Sequence, residues 1–266
     1  MAQSISCKNN NVLALILIPI VGTIITVLFR PIYLISIFLF YIAPALYLVL
    51  RYKNYSFELK DLVFTIVFAT PFAIVVDYIG TISGIWYAPS SIILPRFLGV
   101  IPLEDFLWMF AGTYLIIILY QAFFDRGKRE VTDHKMWKFI LPATILMGVF
   151  FYLVNINYNI FFWPGKYTYL VLCTIFFLLP AILFLANYPK FLKKILGVIV
   201  YFFYVTCLFE FTATYLKQWI FTGSYIIRPV SFFGFGSVAL EELFFVGIVG
   251  PIAAVAFYEY FDDDLK

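Results

Sequence analysis

Two copies of an acidic motif stand where the chain turns hydrophobic. The first reads Gly99-Val-Ile-Pro102-Leu-Glu104-Asp105-Phe106 and the second Gly236-Ser-Val-Ala239-Leu-Glu241-Glu242-Leu243. Each follows an apolar segment with another acid near its far end, Asp77 in the first copy and Glu210 in the second. Carboxylates in lipid-spanning segments are costly and mark function. Like charges gathered away from water cannot all ionise, so three carboxyls converging per copy would hold a transferable proton. The chemistry that follows is general acid–base catalysis in a dry site. A plainer role competes. Pro102 suits a first helical turn, where carboxylates meet unpaired backbone amides and the positive end of the dipole. Helix capping accounts for the pairs but not for Asp77 and Glu210, which sit at opposing helix ends where the dipole disfavours an anion. Adjacent helical residues point about 100° apart, so Glu104 and Asp105 are free to divide the tasks, one facing a cleft and the other capping.

The elements that position these acids are membrane helices. Of 266 residues, 64% are hydrophobic and 12% charged, and the mean hydropathy is +0.98. A soluble domain of this length has no room to hide that much apolar surface. Stretches of spanning length fall near 12–29, 31–50, 61–80, 103–124, 137–155, 168–187, 195–216 and 239–260. The expected fold is an all-α integral membrane protein of eight transmembrane helices. The alternation of a transmembrane barrel is absent. Thirteen of the 18 Lys and Arg lie on the side holding both termini, which places N- and C-termini in the cytoplasm of a multi-pass cell-membrane protein. This bias accounts for the net charge of +3, and no nucleic-acid partner is expected. The first segment lacks a basic n-region and a small-residue cleavage site, so it reads as a permanent helix. Cys7, Cys173 and Cys207 have neither disulfide nor metal spacing, and no metal or other cofactor is expected.

The acidic motifs belong to a longer repeat. Ala43-Pro44-Ala45 matches Leu179-Pro180-Ala181 at an offset of 136, Asp77 matches Glu210 at 133, and Glu104 matches Glu241 at 137. Residues 1–124 form one transmembrane repeat, 125–138 a charged cytoplasmic linker, and 139–266 the second repeat. Four helices per half make the halves parallel, as two pseudo-twofold four-helix repeats about an axis along the membrane normal. The acids of both would then meet in a cleft near the non-cytoplasmic leaflet. Between the acids stand aromatic residues, Trp86 and Tyr87 in the first half. Their counterparts in the second half are open: Gly84-Ile-Trp86-Tyr87 matches Gly223-Ser-Tyr225-Ile226, but Trp219 lies nine residues after Glu210 as Trp86 lies nine after Asp77. A π face here would stabilise a developing carbocation by about 2 kcal/mol or more when desolvated.

A membrane chain with paired repeats carrying Asp, then Gly-x-Trp, then Pro-Leu-Glu-(Glu/Asp) resembles the membrane-integral lycopene β-cyclases. The resemblance covers residues 31–260 and both repeats. Ala239 stands for the motif's proline in the second copy, and Tyr225 for its tryptophan. The resemblance implies carotenoid biosynthesis by redox-neutral cyclisation of the linear ends of lycopene, or a related carotene held in the bilayer, to β-ionone rings. Protonation of a terminal double bond gives a tertiary cation, an internal double bond closes the ring, and a base removes a proton. It makes Glu104 and Glu241 the central acids, with Asp77, Asp105, Glu210 and Glu242 tuning or sharing the proton, and Trp86, Tyr87, Trp219 and Tyr225 around the cation. Membrane lipid is the only other partner expected; no protein partner is.

Other readings fare worse. Gly234-Phe-Gly236-Ser-Val-Ala239 matches a dinucleotide pattern without its βαβ context. Glu241-Glu242 is similar to the motif of CAAX-processing proteases, but those need further histidines, and His134 is the sole histidine. The only Asp run, Asp262–Asp264, is in the tail rather than paired as in membrane prenyltransferases, and residues 239–260 lack an opsin's lysine. A proton-coupled carrier of a lipophilic substrate remains the alternative to an enzyme.

Overall fold

The structure, a computed structural model, describes residues 2–52, 58–125, 135–163, 165, 167–222, 230–232 and 235–262. Each apolar segment read from the sequence is a helix: α1 (Ala2–Phe29), α2 (Tyr33–Arg51), α3 (Glu58–Ile82), α4 (Leu103–Phe124), α5 (Lys135–Ile156), α6 (Thr168–Asn187), α7 (Phe191–Tyr215) and α8 (Leu240–Glu259). Seven are long and apolar enough to cross a membrane, while the apolar stretch of α5, Ile140–Ile156, is shorter. The chain is a helical, multi-pass membrane protein. Side chains such as Leu13, Ile24, Leu146, Leu183 and Val200 stand exposed on the outer helices, where lipid is their natural solvent.

Prolines shape several helices. In α2 the turn Phe38–Ile42 widens to a π-turn directly before Ala43-Pro44, and in α6 Thr174–Leu178 does the same before Leu179-Pro180. Proline has no N–H and its ring crowds the carbonyl four residues back, so one extra residue in the preceding turn relieves the clash. A third π-turn, Phe245–Val249, precedes Gly250-Pro251 in α8.

The core is built around α4 and α8, which pack on each other, with α3 against α4 and α7 against α8. These two are the most buried of the spanning helices and α1 the least. α1 is fastened by the hydroxyls of Tyr201 and Tyr204, which donate to the Leu15 and Ile16 carbonyls at 3.3 and 2.8 Å. The far end of α5 lies beside that of α3: the Tyr78 hydroxyl donates to the Tyr158 carbonyl (2.6 Å) and the Trp163 N–H to Ser83 Oγ (3.0 Å).

The fold departs from all-α at one end. Strands β1 (Trp86–Tyr87) and β2 (Ile220–Phe221) pair antiparallel, Trp86 opposite Phe221 and Tyr87 opposite Ile220. Strands β3 (Val230–Phe232) and β4 (Phe235–Val238) form a second pair. These connectors lie over the acid-bearing helix ends, and backbone groups there need partners as much as those in the helices do.

α3 and α7 end alike. Gly84 N–H reaches the Thr81 carbonyl (3.1 Å) and Ile85 N–H the Gly80 carbonyl (2.9 Å); Lys217 and Gln218 repeat this on Thr214 (3.1 Å) and Ala213 (2.8 Å). Both are Schellman closures, with Gly84 (φ 72°) and Lys217 (φ 55°) in the left-handed position. Trp86 and Trp219 each stand two residues beyond that position. The closures therefore align Trp86 with Trp219, and the match of Gly84 to Gly223 gives way.

Candidate active site

The helix ends bring four acids to one level of the bundle. Asp77 stands five residues before the end of α3 and Glu210 five before the end of α7. Asp105 and Glu242 are each the third residue of their helices. Pro102 and Ala239 hold the extended position before α4 and α8, and their carbonyls accept from Asp105 N–H (3.2 Å) and Glu242 N–H (3.0 Å). Ala239 thus does the same backbone work as Pro102. All four side chains are buried.

Asp77, Asp105 and Glu242 line one cavity, with Trp86, Trp108, Trp219, Tyr169, Phe177, Met109 and Val246 in its wall. Its free volume is about 40 Å³, room for a few water molecules. Among the described residues, no lysine or arginine lines it. Arg96, within electrostatic reach of Asp105, donates instead to the carbonyls of Val100 (3.1 Å) and Ala88 (2.6 Å). Three carboxyls gathered in an apolar chamber do not readily all carry charge together.

Each acid has an aromatic companion, arranged alike in the two halves. The Tyr169 hydroxyl donates to Glu242 Oε2, and Tyr33, 136 residues earlier, lies against Asp105. The Trp86 indole lies against Asp77 as Trp219 lies against Glu210. The rings then cross between halves: Trp86 meets Tyr169 edge-on at 5.3 Å between centroids, and Trp219 meets Tyr33 at 5.7 Å. Trp108 meets Trp219 at 5.3 Å and 89°. Polar atoms left without hydrogen-bond partners gather here: Asp77 Oδ2, Asp105 Oδ1, both oxygens of Glu210 and Trp108 Nε1. Buried unpaired groups of this kind are rare and collect where a protein gives up stability for function.

Comparison with known proteins gives no matching family model, no matching curated protein and no matching solved structure. The site has to be interpreted from its own chemistry.

The expected central acids are placed elsewhere. Glu104 does not line the cavity. Its Oε1 accepts from the N–H groups of Ile92 (2.6 Å) and Ile93 (3.2 Å), and its Oε2 from the Ser91 hydroxyl (2.7 Å). Glu104 therefore pins the 88–102 connector that roofs the site. Asp105, about 100° further round the helix, takes the inward position. Glu241 is buried at the corresponding place in α8 and likewise does not line the cavity. Glu210 lies against Trp219 and is not among the lining residues. Tyr87 is 41% exposed and does not line the cavity; its partner across the strand pair is Ile220. Tyr225 lies outside the described residues. Tyr33, Trp108 and Tyr169 also belong to the site, outside the acidic motifs. The offset of 136 links Tyr33 to Tyr169, and Trp108 stands one turn after Asp105.

Among the described residues, no three His, Cys, Asp or Glu side chains converge closely enough to hold a metal ion.

Proposed function

We propose that this chain is a membrane-embedded acid–base catalyst that cyclises the linear end of lycopene or a related carotene. The observation that carries this reading is the composition of one cavity: Asp77, Asp105 and Glu242 beside Trp86, Trp108 and Trp219, with no cation among the described residues of the wall. A carboxylic acid of the cluster gives its proton to a terminal carbon–carbon double bond and becomes a carboxylate. The resulting tertiary cation is attacked by an internal double bond, which closes a six-membered ring and moves the charge onto it. A carboxylate then takes a ring C–H proton, the electron pair stays as the new ring double bond, and the acid is restored. No external electron or proton is consumed. The indole faces stabilise the cation where water would capture it. Asp105 and Glu242 act as the exchanging pair, Glu242 held by the Tyr169 hydroxyl and Asp105 beside Tyr33. Asp77 lies within electrostatic reach of both and holds the proton balance between them.

The architecture proposed is eight crossings in two pseudo-twofold repeats, both termini cytoplasmic and the acids toward the outer leaflet. The matched π-turns, the matched Schellman closures and the exchanged Trp–Tyr contacts support the repeat. The contacts of Tyr78 with Tyr158 and of Ser83 with Trp163 support a full crossing by α5.

The test is expression in a bacterial host that accumulates lycopene. The expected result is a red-to-orange change, with β-rings identified by chromatography. Unchanged lycopene despite confirmed membrane expression of the chain would overturn the reading and return the carrier alternative.

A further inference from the structure

A second cavity adjoins the first and shares Trp108, Met109, Phe177 and Val246 with it. Its remaining wall is Phe68, Gly112, Thr113, Ile116, Phe202, Gly250 and Ala254, apolar apart from one threonine. Met109 and Val246 each stand four residues after a cavity acid, Asp105 and Glu242, so the shared residues form a neck one turn below the acids. From Asp105 to Ile116 along α4, and from Glu242 to Ala254 along α8, the line of cavities runs about 16–18 Å.

We infer that the second cavity is a tail channel, which holds the unreacted length of a linear polyene while its end lies among the acids. This rests on the cyclisation reading. A water file is a poor occupant, because among the described residues the wall offers only the Thr113 hydroxyl and the Trp108 indole N–H, and each water needs two to four polar partners. A hydrocarbon rod continuous with the reacting end suits both the lining and the direction. One small residue facing the channel, Gly112, is not demanded by helix packing. A Cβ placed on Gly112 would have the Phe202 ring at 3.5 Å and the Tyr41 ring at 3.8 Å as its nearest neighbours, ordinary contact distances. Glycine weakens a helix relative to alanine, so a glycine with room for a methyl leaves space for something else. The free volume of the channel is about 40 Å³, so a chain enters by displacing side chains, and Met109, unbranched with three rotatable bonds, is the one suited to swing.

The experiment compares two linear polyenes with the same end group, one full-length and one half-length, on the purified protein in phosphatidylcholine nanodiscs. Ala254→Leu fills the channel below the neck, and Gly112→Ala is a milder second variant should the first not fold. The expected result is at least a tenfold fall in the ratio of full-length to half-length turnover for Ala254→Leu, and a smaller fall in the same sense for Gly112→Ala. Equal loss on both lengths, or no change in the ratio, overturns the channel. If the wild type turns over neither polyene, the cyclisation reading fails, and binding still decides the channel. Quenching of tryptophan emission by the full-length polyene must weaken in the variants, and identical quenching overturns the inference.

Discussion

The Trp86 indole rests edge-on against the Tyr169 ring, 5.3 Å between centroids, and Tyr169 in turn donates its hydroxyl proton to Glu242. A residue of the β1 strand thereby fixes the donor to a carboxyl on α8, and the two ends of the chain share one site. Removing only the hydroxyl tests this link. Tyr169→Phe keeps the ring contact and leaves Glu242 Oε2 without this donor. We expect cyclisation to fall about 10–100-fold with the melting temperature nearly unchanged, measured by product chromatography and thermal unfolding in detergent. General acid–base contributions of about 10²–10⁴ set the upper end of that loss.

Asp105 and Glu104 are neighbours with different expected phenotypes. Asp105→Asn removes a carboxyl from the cavity and should reduce ring formation by 10² or more, about 3 kcal/mol in barrier. Glu104→Ala removes three hydrogen bonds that hold residues 91–93. Bonds to a charged acceptor contribute about 1.5–3 kcal/mol each, so this variant should lose stability and become sensitive to protease in the 88–102 connector. Glu104→Gln keeps an acceptor for the two N–H groups and should retain measurable cyclisation. A Glu104→Gln protein that is folded, protease-resistant and inactive would return Glu104 to the role of central acid.

Gly80 is the floor on which Trp86 lies. A Cβ at that position would stand 2.2 Å from Trp86 Cζ2 and 2.4 Å from Cη2. Gly80→Ala must therefore push the indole off α3 and out of register with Asp77. Overpacking of this kind costs about 1–3 kcal/mol, and we expect both a lowered melting temperature and a loss of activity larger than stability alone explains. Trp86→Phe in the Gly80→Ala background, which shrinks the ring, should recover stability but not full activity.

Much of this architecture is legible in the sequence because membrane helices announce themselves by length and hydropathy, and all eight apolar segments are helices. The acid positions are legible because carboxyls are rare in such segments. What the sequence leaves open is direction. Whether Glu104 or Asp105 faces inward depends on how α4 is rotated against α8, and adjacent residues carry no mark of that. Trp108 is hidden among 33 Phe, 20 Tyr and 5 Trp, most of which only fill space or face lipid. The pairing of Trp86 with Trp219 is set by the Schellman closures, where Lys217 takes the left-handed position that Gly84 takes in the first half. A lysine does not advertise that conformation, so the glycine at Gly223 attracts the alignment instead.

The crossing of the two halves at one cavity has a kinetic consequence. Asp77 and Asp105 come from the first half and Glu242 from the second, yet they line a single chamber. On the cyclisation reading, one chamber would accept one end of a symmetric linear substrate at a time, with the other end at a distance set by the whole polyene. Two rings would require release, reversal and rebinding. We expect the monocyclic product to appear first, to leave the protein, and to fall only when fresh linear substrate is exhausted. Time-resolved chromatography with substrate in large excess over enzyme checks this. A burst of bicyclic product with no free monocyclic intermediate would require two working sites, and the single composite cavity would then be the wrong description of how the acids are used.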